Sequence, residues 1–185
     1  MLTQVYRPGL IVMQQLFLAV PIRYLRDAAA NPERLSRYMR NTLSVKVLER
    51  RDRWYRTQWA SRLLVASFTR DFEWTEINEW WDEPPRRYQL NFKQQSGEFN
   101  RYDGNLVIVE EVPFHNIVKV HVDYDWGGGR QNSFVQKALL KGIAEHHWSF
   151  LESMYTAARQ QIDRDTDRFE DYQMEYARTR PNTPA

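Results

Sequence analysis

Between residues 42 and 126 the sequence changes polarity at nearly every second position. Directly after the run Gly127-Gly128-Gly129 the spacing of apolar residues becomes three and four. A side-chain period of two belongs to a strand with one dry face, and a period near 3.6 to an amphipathic helix. The chain therefore reads as an antiparallel sheet covered by one long helix, an α+β arrangement. The last strand is the clearest. Val118, Val120, Val122, Tyr124 and Trp126 share one face, and Lys119, His121, Asp123 and Asp125 the other, so one side of the sheet is wet and the other covered.

Turn signals cut this region into about six strands. Residues 42–49 alternate and break at Arg51-Asp52-Arg53. Residues 54–64 and 68–81 follow, and Asp82-Glu83-Pro84-Pro85 turns the chain before 88–94. Residues 99–111 and 116–126 are separated by Val112-Pro113-Phe114. Ahead of the sheet, 9–20 is aliphatic and β-branched and stops at Pro21, which has no N–H for a ladder, so it reads as an opening strand. Two short helices fit between, 22–30 and 32–39. The second starts at Asn31-Pro32-Glu33, a side-chain cap, a helix-starting proline and an acid. The long helix begins near Gln131 or Asn132, with a stripe through Leu139, Leu140, Ile143, His147, Phe150, Leu151, Met154 and Ala158. The domain is taken as residues 1–162, and 163–185 as a charged helical extension ending in a frayed tail.

A chain of 185 residues suits one domain. With 26 Lys+Arg against 24 Asp+Glu and only five lysines, the positive excess is scattered arginine rather than a stripe, so no nucleic-acid partner is expected. The absence of cysteine removes disulfides, thiolate metal ligands and cysteine nucleophiles together. The early apolar run, 10–20, is broken by Gln14 and Gln15 and is too short to span a bilayer. It also lacks the basic flank and cleavage site of a secretion signal. The expectation is a soluble, cytoplasmic protein with no stable membrane insertion. Gly127-Gly128-Gly129-Arg130 lacks the Lys-Ser/Thr of a phosphate-binding loop, and neither a Gly-x-Ser-x-Gly elbow nor a paired-histidine zinc motif occurs.

The order of strand, two short helices, six strands and long helix resembles the helix-grip fold of the START-like (SRPBCC) superfamily. That superfamily includes polyketide aromatase/cyclases, coenzyme Q-binding proteins and plant hydrophobic-hormone binders of the Bet v 1-like kind. Residues 31–52, NPERLSRYMRNTLSVKVLERRD, are similar to the family's D-P-E-R…W/Y…V-x-V-L-E-R-D stretch. Residues 97–111, GEFNRYDGNLVIVEE, are similar to its G-x-F-x-x-x-x-G-x-W strand, and VHVDYDWG ends the sheet as family members do. The likeness covers residues 9–160. It implies a long helix across a curved sheet with a deep apolar cavity between them. It further implies a hydrophobic small-molecule ligand or a carrier-protein-bound intermediate as partner, and neither metal nor redox cofactor.

Within that fold, strand parity selects the cavity wall. In 68–81 the even set is Phe68, Arg70, Phe72, Trp74, Glu76, Asn78 and Trp80; the odd set is far more polar, so the even set faces inward. The other strands add Tyr88, Leu90, Phe92, Leu106, Val120, Val122 and Tyr124, and the helix adds Ile143, His146 and His147. An ionisable group on an aromatic wall is costly unless paired or neutral, which makes Glu76 and Arg70 the informative positions. In the functional reading Glu76, its pKa raised by burial, moves a proton beside a carbonyl-rich substrate. Asn78 and Arg70 polarise the carbonyl, and His147 shuttles protons. In the plain alternative Glu76 and Arg70 pair with each other or sit at the cavity mouth. Adjacent histidines point roughly 100° apart on a helix, which argues against a metal site there.

The aromatase/cyclases carry a Ser-x-Arg pair on this strand that, counted back from the following proline, falls on Asn78 and Trp80. The missing arginine argues for another ring closure or plain binding. The leading expectation is a polyketide cyclase-like protein of biosynthesis that promotes ring closure or dehydration by acid–base catalysis. A non-catalytic carrier or sensor of a lipid, quinone or pigment is the rival. A third reading is an interaction protein whose cavity is filled by its own aromatics. The clusters at 50–53 and 84–87 read as solvated turns, or as a docking surface for an acidic carrier protein, and a homodimer is compatible with the chain.

Overall fold

The computed structural model describes residues 3–65, 68–126 and 133–165. Its strands are β1 (Thr3–Arg7), β2 (Leu10–Leu18), β3 (Thr42–Arg50), β4 (Trp54–Val65), β5 (Phe68–Glu83), β6 (Arg87–Gly97), β7 (Arg101–Val112) and β8 (His115–Asp125). Helices α1 (Ile22–Ala29) and α2 (Pro32–Leu35) lie between β2 and β3, and α3 (Ser133–Arg164) follows β8. The strands form one antiparallel sheet in the order β1-β2-β8-β7-β6-β5-β4-β3. A meander thus runs from β3 to β8, and β2 closes back against β8, where Ile11 faces Val122 and Met13 faces Val120.

The period-two segments are all strands, and the helix expected over the stripe is α3, laid on the covered face. β1 is an addition. Its five residues, TQVYR, show no apolar period and are held by pairing with β2 across a turn in which Gly9 takes φ +84. The second helix stops at Leu35, short of the expected end. It starts at Pro32 with the Asn31 side chain accepting from the Arg34 N–H at 3.2 Å. The glycine run, the onset of α3 near Gln131, the Phe68 side chain and the tail from 166 on lie outside the described residues.

The parity assignment holds on β5 from Phe72 to Trp80, where Phe72, Trp74, Glu76, Asn78 and Trp80 are all buried, but not at Arg70, which is exposed near the start of the strand. On β8, Val120 and Val122 are buried while Lys119 is exposed and His121 and Asp123 are half-exposed. From α3, Leu139, Ile143, Leu151, Met154 and Ala158 complete the core, each large side chain contributing roughly 1.5–3 kcal/mol of burial. Among the described residues no helix is long and apolar enough to cross a membrane.

Two glycines of the 97–111 stretch have a packing reason. Gly97 lies opposite Trp74, and a Cβ there would stand 2.6 Å from the Trp74 Cβ. Gly104 lies opposite Phe92, and a Cβ there would stand 2.5 Å from the Phe92 ring and 2.1 Å from the His121 carbonyl oxygen. Each glycine lets an aromatic residue of the neighbouring strand lie against bare backbone.

Candidate functional site

A pocket sits between the middle of the sheet and α3. β4 supplies Tyr55 and Trp59, and β5 supplies Trp74, Glu76 and Asn78. Leu90 and Phe92 come from β6, Tyr102 and Leu106 from β7, and Val120 from β8. His146, His147 and Phe150 close it from α3, with Ala29 and Pro32 at the α1–α2 junction. Among the described lining residues, Phe150 alone has a side chain that is not fully buried. The void measures about 40 Å³, room for about three water molecules. The deep cavity that the resemblance implied is here largely filled by the protein's own rings.

Glu76 is the polar centre of this pocket. The Trp59 indole N–H donates to its Oε1 and the Trp74 indole N–H to its Oε2, each at 2.9 Å, and the Thr57 hydroxyl adds a 3.4 Å contact to Oε1. Asn78 donates to the Thr57 hydroxyl at 3.0 Å. Burial pushes the Glu76 pKa up, and hydrogen bonds from Trp74, Asn78, Trp59 and Thr57 oppose that rise without cancelling it.

The two histidines face different parts of the same wall. His146 sets its ring edge against Trp59 and Trp74, with centroids 6.0 and 5.6 Å away, and its Nδ1 lies 3.5 Å from the Ser61 hydroxyl. The His147 ring stacks on Phe92 and Tyr102, and its Nε2 shares a 2.5 Å hydrogen bond with the Tyr102 hydroxyl. Burial lowers the His146 pKa to about 4 and holds His147 well below its usual value, with His146 adding to the effect. Burial and the Glu76 charge push the Tyr102 phenol up. Both imidazoles are therefore neutral near pH 7, and among the described residues no Lys or Arg lines the pocket.

Several expected positions lie elsewhere. Arg70 has the inward parity but not the pocket. Near the start of β5 its long side chain crosses the rings of Phe72 and Trp126, at 5.3 and 5.4 Å, to pair with Glu98 at 2.5 Å. It pairs outward with Glu98 rather than with Glu76. Phe72 is buried one layer away, stacked on Phe99. Trp80 is buried beyond the void under the Arg26 guanidinium, 4.8 Å from its ring, and Tyr88 is half-buried. Val122, Tyr124 and Ile143 belong to the packed core rather than the pocket lining. Trp74, Leu90, Phe92, Val120, His146 and His147 do line it, as do Glu76 and Asn78. His146 is enclosed as well, with its ring edge against Trp59 and Trp74 of the sheet.

Sequence reasoning left Tyr55, Thr57, Trp59, Tyr102 and Phe150 without a role in the site. The signal for the β4 set was present. Tyr55, Thr57, Trp59, Ser61 and Leu63 alternate with Arg56, Gln58, Ala60 and Arg62, and all five are buried. Among the described residues no group of three His, Asp or Glu side chains converges as a metal site would require.

Neither a protein-family model nor a curated protein sequence matches the chain. Solved structures do. TTHA0849 from Thermus thermophilus is 24% identical with a TM-score of 0.70, over 82% of this chain and 98% of that one. The ZhuI aromatase/cyclase from Streptomyces sp. R1128 is 12% identical with a TM-score of 0.67, over 83% and 96%. Human STARD10 is 12% identical with a TM-score of 0.63, over 92% and 78%. The chain has the START-like helix-grip fold.

Proposed function

We propose that the pocket binds a hydrophobic carbonyl compound and that Glu76 moves a proton on it, in the manner of a cofactor-independent cyclase or dehydratase. The similarity of fold to an aromatase/cyclase supports this reading. The observation that carries it is the Glu76 carboxyl, buried beside a void, held by two indole N–H groups and shifted toward neutral pH. Burying a carboxyl costs several kcal/mol that a carrier, which needs only apolar walls, has no reason to spend. A lifted carboxyl near two neutral imidazoles is a usable acid or base at neutral pH. Asn78, hydrogen-bonded to Thr57, polarises the carbonyl oxygen, and the aromatic rings fix the plane of the ligand. Arg70, paired with Glu98, takes no part. A void of about 40 Å³ is smaller than one aromatic ring, so a ligand enters only as side chains such as Phe150 turn aside, and a compact ring system demands less opening than an extended chain.

The mostly apolar lining also fits a second reading, in which the same pocket carries a lipid, quinone or pigment without changing it. Exchange of the α-protons of 2-tetralone in D2O, followed by NMR, separates the two. Acceleration over buffer that disappears in Glu76→Gln is the expected result. Binding of the ketone with no acceleration in the wild type makes the protein a carrier.

A further inference from the structure

The hydroxyl of Tyr102 has capacity beyond its contact with His147. A phenol oxygen donates one hydrogen bond and accepts up to two. When His147 Nε2 carries the proton and donates to Tyr102, the phenol O–H is free to turn into the void that both residues line. Around it stand flat apolar surfaces. The Phe92 ring lies 6.0 Å and the Trp74 ring 5.7 Å from that of Tyr102, between centroids. Among the described residues no Lys or Arg lines the pocket, and Arg70 is held outside by Glu98. An anion placed here would meet Glu76 with no counter-charge, at a large desolvation cost.

We propose that Tyr102 and His147 form a second polar contact of the pocket, which takes the oxygen of a compact, uncharged aromatic ketone or phenol and leaves anionic ligands out. The proposal rests on the reading of the pocket as a site for hydrophobic carbonyl compounds, and it adds the charge and shape class of the ligand. His147 is the positioning residue, since it holds the phenol oxygen in place, and Tyr102 touches the ligand.

Equilibrium dialysis of the full chain against 2-naphthol, naphthalene and 2-naphthoate tests it. The expected result is 2-naphthol bound about tenfold more tightly than naphthalene, the worth of about one net hydrogen bond, and 2-naphthoate at least about tenfold more weakly than 2-naphthol. Tyr102→Phe brings 2-naphthol to the level of naphthalene without changing naphthalene binding, a selective loss that a merely structural residue would not produce. His147→Leu is the second variant and loses most of the same preference. Survival of the preference in Tyr102→Phe, or equal binding of 2-naphthoate and 2-naphthol, overturns the proposal. A preference lost in Glu76→Gln but kept in Tyr102→Phe places the oxygen at Glu76, which ends this proposal and leaves the proposed function standing. Uptake of none of the three compounds by the wild type ends both.

Discussion

Trp59 and Trp74 face each other across β4 and β5 with ring planes 4° apart and centroids 5.9 Å apart, and each donates its indole N–H to a different oxygen of Glu76. The stack and the carboxyl hold one another. The rings supply the only polar atoms they own, and the carboxyl receives donors that carry no charge. It therefore stays stabilised in place without being forced into the fully ionised state that an arginine would impose.

Glu76→Gln preserves shape and the acceptor for one indole while removing titration. Ligand binding should stay within a few-fold, and exchange of the 2-tetralone α-protons should fall by about 10²–10⁴. Unchanged exchange in the variant would remove Glu76 from the chemistry.

Stability should fall in mild acid because of the histidines. His146 titrates at about 4 when folded, against an ordinary value of 6.5. The unfolded chain therefore takes up the proton first as pH drops. The contribution is complete above pH 6.5 and is lost as pH falls toward 4. Between about pH 7.5 and pH 4.5 the wild type should lose about 2–3 kcal/mol relative to His146→Gln, read by denaturant unfolding. Glu76 works in the opposite sense. Its raised folded pKa gives stability that is full below the usual carboxylate range and is lost as pH rises through the folded value. Identical pH dependence of wild type and His146→Gln would contradict the burial of that imidazole.

Gly104→Ala should cost about 1–3 kcal/mol, because the new methyl collides with backbone at the His121 oxygen and with the Phe92 ring. Since Phe92 lines the pocket, ligand affinity should fall with stability. A neutral result in chemical denaturation would show that the ring is free to move.

Phe150→Ala should open the pocket. The side chain is half-exposed, so the folding penalty should stay below the roughly 3–5 kcal/mol of a buried phenylalanine, while uptake of an environment-sensitive hydrophobic dye rises. Phe72→Ala is the control. Fully buried and away from the void, it should show the large penalty and no gain in dye uptake. The same response in both variants would mean that Phe150 does not guard the pocket.

The fold was legible because it follows from periods along the chain. Val118 to Trp126 alternate, Leu139 to Ala158 recur at three and four, and these patterns decide strand, helix and inner face before any contact forms. The inward placement of Glu76 and Asn78 was legible for the same reason. Their surroundings were not, since Trp59 and Trp74 come from separate strands and become partners only through the β4–β5 register. Arg70 marks the limit most clearly. Parity set the direction of its Cα–Cβ bond, but a side chain that long reaches whichever carboxylate the tertiary structure brings near, and Glu98 from the β6–β7 connection was the nearer one. The size of the void was likewise beyond the sequence. It is the small space left where two glycines and the aromatic rings of β4, β5, β6, β7 and α3 meet, and no local pattern along the chain encodes that remainder.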